Sequence, residues 1–165
     1  MQKLPNKKRK TMEKDNKKEL KVAALKDGTV IDHIPSEKLF NVISILKLDQ
    51  CNCQMTFGIN LESHRLNKKA IIKVADKFLE QDEVNKVALL APNAKINIIK
   101  DYEVVEKKTL ELPTEIKGSI KCINPKCITN NEPMLSKFIT IDKMKGLFKC
   151  YYCERVIKRE DLIIE

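Results

Sequence analysis

The sequence predicts an α+β protein: a ferredoxin-like, mostly antiparallel sheet carrying two helices, followed by a small all-β zinc-binding domain. Two observations predict it. Apolar residues change period along the first two thirds of the chain in the order strand, helix, strand, strand, helix, strand, with one extra strand at the end. The last third contains two close cysteine pairs, Cys122-x4-Cys127 and Cys150-x2-Cys153, separated by 22 residues.

The elements follow in order. Residues 19–25 (ELKVAAL) are short and apolar-rich, and Lys26-Asp27-Gly28 is a turn signal. Thr29 to Ile34 forms the first strand, ended by Pro35. Ser36 is a candidate helix cap, and Leu39, Phe40, Ile43 and Leu46 give a helical stripe. Gln54 to Leu61 alternates apolar and polar residues and reads as a strand. Ser63 to Lys68 is a polar connection, and Ala70 to Val74 is a β-branched strand. Gln81 to Leu90 has acidic residues in its first turn and apolar residues at Val84, Val87 and Ala88, a helix stopped by Pro92. Lys95 to Ile99 and Tyr102 to Glu106 are strands around Lys100-Asp101. Leu112-Pro113 marks a boundary. The expected units are residues 1–18, 19–111 and 112–165.

The cysteine spacing has a geometric reading. Each short pair can aim two sulfurs at one ion, and the intervening segment brings the pairs together. Four thiolates close a tetrahedral shell around Zn²⁺ and leave no position for water or substrate, so the expected zinc is structural. About fifty residues bury little core alone, and a metal staple fits that shortage.

Composition narrows the functional classes. The net charge of +9 is uneven: residues 1–18 carry +6 and the remaining residues +3. Four thiolates around one Zn²⁺ bring the folded part to about +1. The basic character therefore belongs to the first 18 residues, expected to be a disordered extension. No run of 18 apolar residues and no signal-peptide pattern is visible, so no membrane partner is expected and the cytoplasm is the expected location. A reducing compartment favours metal ligation over disulfides. Cys51 and Cys53 form a C-x-C before a strand; a second metal or redox site is the alternative, but two ligands do not make a site, so two reduced thiols in a loop are expected.

Catalytic machinery is hard to assemble. The two histidines, His33 and His64, lie in no metalloprotease or haem motif, and no G-x-S-x-G, Walker or Rossmann pattern appears among the four glycines. A polyanion site is easier to assemble. Lys69 and Lys73 share one face of a strand, while Lys95, Lys100 and Lys107 flank the last two strands. Asp32 and Asn97 can hydrogen-bond ribose hydroxyls or a base. A zinc-ribbon nucleic-acid-binding protein is the alternative. It is weakened because the cysteine module lacks a basic stripe with stacking aromatics, so no nucleic-acid partner is expected.

The stretch Gly28 to Pro35 (GTVIDHIP), the run Asp101 to Val105 (DYEVV) and the tail CYYCE, in this order, resemble the regulatory chain of aspartate carbamoyltransferase across residues 19–165. The resemblance implies a non-catalytic polypeptide of pyrimidine biosynthesis. Its first domain would bind ATP, CTP and UTP, and its zinc domain would dock onto catalytic trimers, with regulatory chains paired as homodimers. By position it implies that Asp32, His33, Lys73 and Lys107 meet ribose and phosphates, with Lys69 nearby in the nucleotide site. It implies that Val22, Ala24, Leu25, Val30, Asn97, Ile99, Tyr102 and Val104 hold base and ribose. The zinc ligands are Cys122, Cys127, Cys150 and Cys153. Lys126 departs from a family asparagine at the docking surface, which implies a contact remade with a partner carboxylate.

Overall fold

The computed structural model describes residues 24–165; the basic extension and Val22 lie outside them. The first half contains strands β1 (Gly28–Pro35), β2 (Met55–Ser63), β3 (Asn67–Ala75), β4 (Lys95–Lys100) and β5 (Glu103–Lys108). Helices α1 (Leu39–Ile45) and α2 (Gln81–Leu90) interrupt them. The strands form one antiparallel sheet in the order β2-β3-β1-β4-β5. The β-α-β-β-α-β order with one added strand is thus the ferredoxin-like arrangement that the sequence predicts.

Alternation along the strands places the helices on one face. Thr29 and Ile31 of β1, Ala70, Ile72 and Val74 of β3, and Ile96 and Ile98 of β4 are buried, whereas Val30, Asp32, Lys73 and Asn97 between them are half-exposed. Period-two burial means one face packed and one face open. Helix α1 supplies Leu39, Val42 and Ile43 to the packed face, and α2 supplies Val84, Val87 and Leu89. Glu80 and Glu83 form a reciprocal capping box at the start of α2, which satisfies two otherwise orphaned N–H groups.

Some boundaries differ from expectation. The stripe at 36–46 divides into a 3-10 turn, Ser36–Lys38, and α1, because no side chain caps a longer helix and Pro35 is extended. The ladder between β2 and β3 extends to Ser63↔Asn67, so most of the polar stretch at 63–68 is hairpin rather than loose connection. Tyr102 lies in the β4–β5 turn, not in a strand; Asp101 and Tyr102 both have positive φ, 49° and 66°. Two consecutive left-handed residues match the twist of a hairpin.

The second half is short strands: β6 (Glu115–Lys117), β7 (Ile120–Lys121), β8 (Lys137–Asp142), β9 (Leu147–Cys150), β10 (Val156–Lys158) and β11 (Ile163–Ile164). Four of them form a sheet in the order β10-β9-β8-β6, and β11 pairs with β7. Ile116, Ile120, Phe138, Phe148 and Ile157 are buried here beside the cysteines. Leu110 and Leu112 of the connecting segment, and Leu162 and Ile164 near the end, pack against an apolar cluster that is continuous through both halves.

Cys51 and Cys53 correct the expectation of two reduced thiols. They are joined as a disulfide, because the turn before β2 brings their Cα atoms to 5.3 Å, inside the range a disulfide spans.

Candidate ligand site and metal centre

The open face of the sheet gathers the charged and amide side chains. Register places Lys73, Val30, Asn97 and Lys107 in one cross-strand row over four strands, β3-β1-β4-β5. Neighbours in such a row stand about 5 Å apart. Ile99 and Val104 pair one step along the same face. Asp32 pairs in register with Lys95, and its carboxylate accepts from the Lys69 ammonium at 2.8–2.9 Å. Burial pushes the Lys73 ammonium below its usual range, and the Asp32 carboxylate partly offsets this.

A bulge sets His33 apart. The β1–β3 register shifts between Ile31 and Ile34, and His33 takes φ 60°. Its backbone N–H donates to Asp32 at 2.6 Å, and its Nδ1 lies 3.2 Å from the same carboxylate without a hydrogen bond. Burial lowers the His33 pKa, Asp32 raises it, and Lys69, Lys95 and Arg65 lower it further; the net shift is downward. The imidazole is therefore neutral at pH 7 and can donate or accept.

One end of this face opens into a cavity of about 300 Å³ whose lining includes Ala24, Leu25, Gln54, Thr56, Lys73 and Tyr102. Its rim is tied by backbone hydrogen bonds. Ala75 N–H donates to Gln54 O (2.8 Å), and Asp76 N–H to Asp27 O (3.1 Å). Tyr102 N–H donates to Lys26 O (2.9 Å), and Asp101 N–H to the Asp27 side chain (3.1 Å). These bonds hold the strained β4–β5 turn against residues 26–27, with the Tyr102 ring exposed at the rim.

The four C-terminal cysteines converge. Their sulfurs lie within 4.8 Å of one another; Cys122 and Cys153 are 3.6 Å apart, and Cys127 and Cys150 are 3.8 Å apart. Four sulfurs tetrahedral at the Zn–S bond length stand about 3.8 Å apart, so the Cys122–Cys153 and Cys127–Cys150 pairs already match that edge and the wider-set pairs need only close by about 1 Å or less to hold zinc. Without a cation this arrangement is hard to ionise. Burial pushes the Cys122 thiol up to about 12 and raises Cys150. Burial also opposes ionisation of Cys153, but the Arg155 backbone N–H, Asn124 and two neighbouring sulfurs outweigh it and bring that thiol to about 7. Zinc would supply the positive charge that lets all four ionise.

The cysteine loop has its own scaffold. The Asn130 amide donates to the carbonyls of Cys122 and Asn124 at 2.8 Å, and the Asn131 amide to those of Cys127 and Pro125 at 2.8 and 3.0 Å. Thr129 Oγ1 donates to Cys127 Sγ at 3.2 Å. These residues orient the ligands as outer partners.

Family profiles account for nearly all the described chain. The profile of the aspartate carbamoyltransferase regulatory chain, allosteric domain, matches residues 20–111, and that of its metal binding domain matches residues 114–163. The chain belongs to the aspartate carbamoyltransferase regulatory-chain family. It is 58% identical over 154 residues to the regulatory chain of Parabacteroides distasonis, covering 93% of this chain and 100% of that one. It is 57% identical to that of Bacteroides fragilis, covering 91% and 98%, and 51% identical to that of Thermococcus sibiricus, covering 90% and 97%. These relatives are regulatory rather than catalytic chains, and the nucleic-acid-binding alternative finds no support among them.

In this regulatory chain, the open face carries Val30, Asp32, Lys69, Lys73, Asn97, Ile99, Val104 and Lys107, while Ala24, Leu25 and Tyr102 reach the same region from the rim. His64 stands apart on the β2–β3 hairpin. The sequence reading missed Lys26, Asp27, Gln54, Thr56 and Asp76 as rim and lining. It also missed Thr129, Asn130 and Asn131 as the cysteine scaffold; the polar run after Cys127 was its only signal. Among the described residues, no helix is long and apolar enough to cross a membrane.

Proposed function

We propose that the open sheet face binds the nucleoside triphosphates ATP, CTP and UTP as competing effectors, and that the metal domain carries their effect to catalytic trimers. The working units are residues 19–111 for the effector, 112–165 for docking, and 1–18 as an extension separable from both. The observation that carries this reading is the row Lys73–Val30–Asn97–Lys107 beside the Asp32–Lys69 pair. A triphosphate needs point cations for its phosphates and a few exact hydrogen bonds for ribose and base. Lys69, Lys73 and Lys107 suit the first task; Asp32, Asn97 and the rim of Ala24, Leu25 and Tyr102 suit the second. An effector shifts the assembly by its differential affinity for two quaternary states, so ATP and CTP can oppose each other from one site.

Two surfaces support the assembly. Exposed Ile128, Leu135, Tyr151 and Val156 on the metal domain suit docking to a catalytic chain. Strand β2 is a sheet edge with exposed Phe57 and Ile59, and Phe40 of α1 lies edge-to-face with Phe57 at 6.1 Å. Long apolar edges are aggregation-prone unless paired, which favours a regulatory homodimer through this edge. The reading is a cytoplasmic one and needs neither a nucleic-acid nor a membrane partner.

Calorimetric titration of CTP and ATP into the wild type and Lys107→Ala tests it. Loss of one charged hydrogen bond is expected to weaken both nucleotides about tenfold or more. Equal affinities would remove the phosphate assignment.

A further inference from the structure

Cys51 and Cys53 belong to neither the metal centre nor the charged row. We propose that they form a reversible dithiol–disulfide site whose redox state sets the firmness of the cavity rim between β2 and Tyr102. Its regulatory meaning rests on the effector reading above; the redox site itself does not.

Position makes the pair suitable. Cys51 follows the 3-10 turn Leu48–Gln50, anchored by buried Leu48, and its N–H donates to Leu48 O at 3.2 Å. Cys53 packs against the apolar cluster, and both cysteines remain half-exposed, within reach of a small thiol. Only Asn52 separates them. Closing the disulfide fixes the approach to β2 immediately before Gln54. Gln54 is the first post of the rim: its carbonyl accepts from Ala75 N–H, Asp76 N–H then reaches Asp27, and residues 26–27 hold the turn at Asp101 and Tyr102. Opening the disulfide frees the first post while leaving the sheet ladder from Met55 onward intact.

The chemistry closes with glutathione disulfide as oxidant. A thiolate of the pair attacks one glutathione sulfur, forms a mixed disulfide and releases one glutathione thiolate. The second cysteine, deprotonated, attacks the protein sulfur of that mixed disulfide and releases the other. Two protein S–H bonds are lost, one S–S bond forms, the two protons pass to the two glutathione thiolates, and the two electrons reduce the glutathione disulfide. The four metal-site cysteines are spared while zinc occupies them, because a ligated thiolate is a poor nucleophile for exchange.

The test uses the full, zinc-loaded chain equilibrated in glutathione buffers of graded ratio. Rapid alkylation with mass measurement counts free thiols, a zinc dye reports metal loss, and hydrogen exchange follows the Ala75 amide. Two thiols, at Cys51 and Cys53, should titrate together as one two-electron couple while zinc stays bound. The Ala75 amide should exchange roughly tenfold more slowly in the disulfide form. Cys51→Ser should hold the faster rate in every buffer. A pair that stays oxidised or stays reduced at all ratios overturns the proposal, as does equal Ala75 exchange in both forms. Neither readout uses a nucleotide, so failure here and failure of the effector reading are separately visible.

Discussion

The five-stranded half is held by aliphatic burial: Ile31, Leu39, Val42, Ile72, Leu89 and Ile96 are all at most 1% exposed. The metal half has strands of two to six residues and a core of five large apolar side chains beside buried Cys122, Cys127 and Cys150. Burial at about 25 cal/mol per Å² rewards large apolar faces, and the second half has little such face to offer. One half can therefore keep its shape without a cofactor, whereas the other makes its shape conditional on one. The difference assigns the two tasks sensibly. On the proposed reading, the effector site lies on a self-supporting sheet and the docking surface on a metal-fixed module.

Zinc removal gives the largest expected effect. Structural zinc contributes about 10–16 kcal/mol of apparent binding free energy in small domains. A strong chelator should unfold residues 112–165 while the signals of β1 to β5 persist in heteronuclear NMR spectra. Simultaneous loss of both sets would break the comparison. Next come core truncations. Phe148→Ala should destabilise the metal half by about 3–5 kcal/mol even with zinc bound, and Ile72→Ala the sheet half by about 2–5 kcal/mol. Denaturant melts read at each half should show Phe148→Ala increasing zinc loss and Ile72→Ala leaving it nearly unchanged; equal zinc loss would mean one shared cooperative unit.

The smallest effect is a pH dependence at His33. Its pKa in the folded chain is lowered, mainly by burial, with Lys69, Lys95 and Arg65 adding to the shift and Asp32 opposing it. The unfolded chain then binds the proton more tightly, so stability from the neutral imidazole is fully present above about pH 6.5 and declines as pH falls toward the lowered value. A bound triphosphate acts oppositely, since nearby negative charge favours the imidazolium. CTP affinity should rise as pH falls from 7.5 to 6, and His33→Gln should flatten that slope in calorimetric titrations. An unchanged slope in the variant would place the phosphates away from β1.

Much of this architecture was legible from periodicity. The β-branched run at Ala70–Val74 and the apolar–polar alternation over Lys95–Ile98 suit strands with one packed face, and the cysteine spacing follows from tetrahedral ligation. What escaped notice depends on local strain or on contacts distant in sequence. Nothing in GTVIDHIP announces the bulge that lifts His33 out of register, because β-branched neighbours and Pro35 suit a regular strand equally well. Tyr102 has strand propensity, yet the tie from its N–H to Lys26 fixes it in a left-handed turn. A C-x-C offers too few ligands to signal a site, whereas the disulfide that joins Cys51 and Cys53 follows a turn anchored by Leu48 in the core. The rim of the cavity comes from four separate segments, and no single window of sequence contains it.

The segment between the halves contains no glycine, ends at Pro113, and lodges Leu110 and Leu112 against the shared apolar cluster. Mechanically it is a clamped strut rather than a swivel. A small tilt of the sheet then arrives at the far module as a tilt, with little of it absorbed as slack on the way.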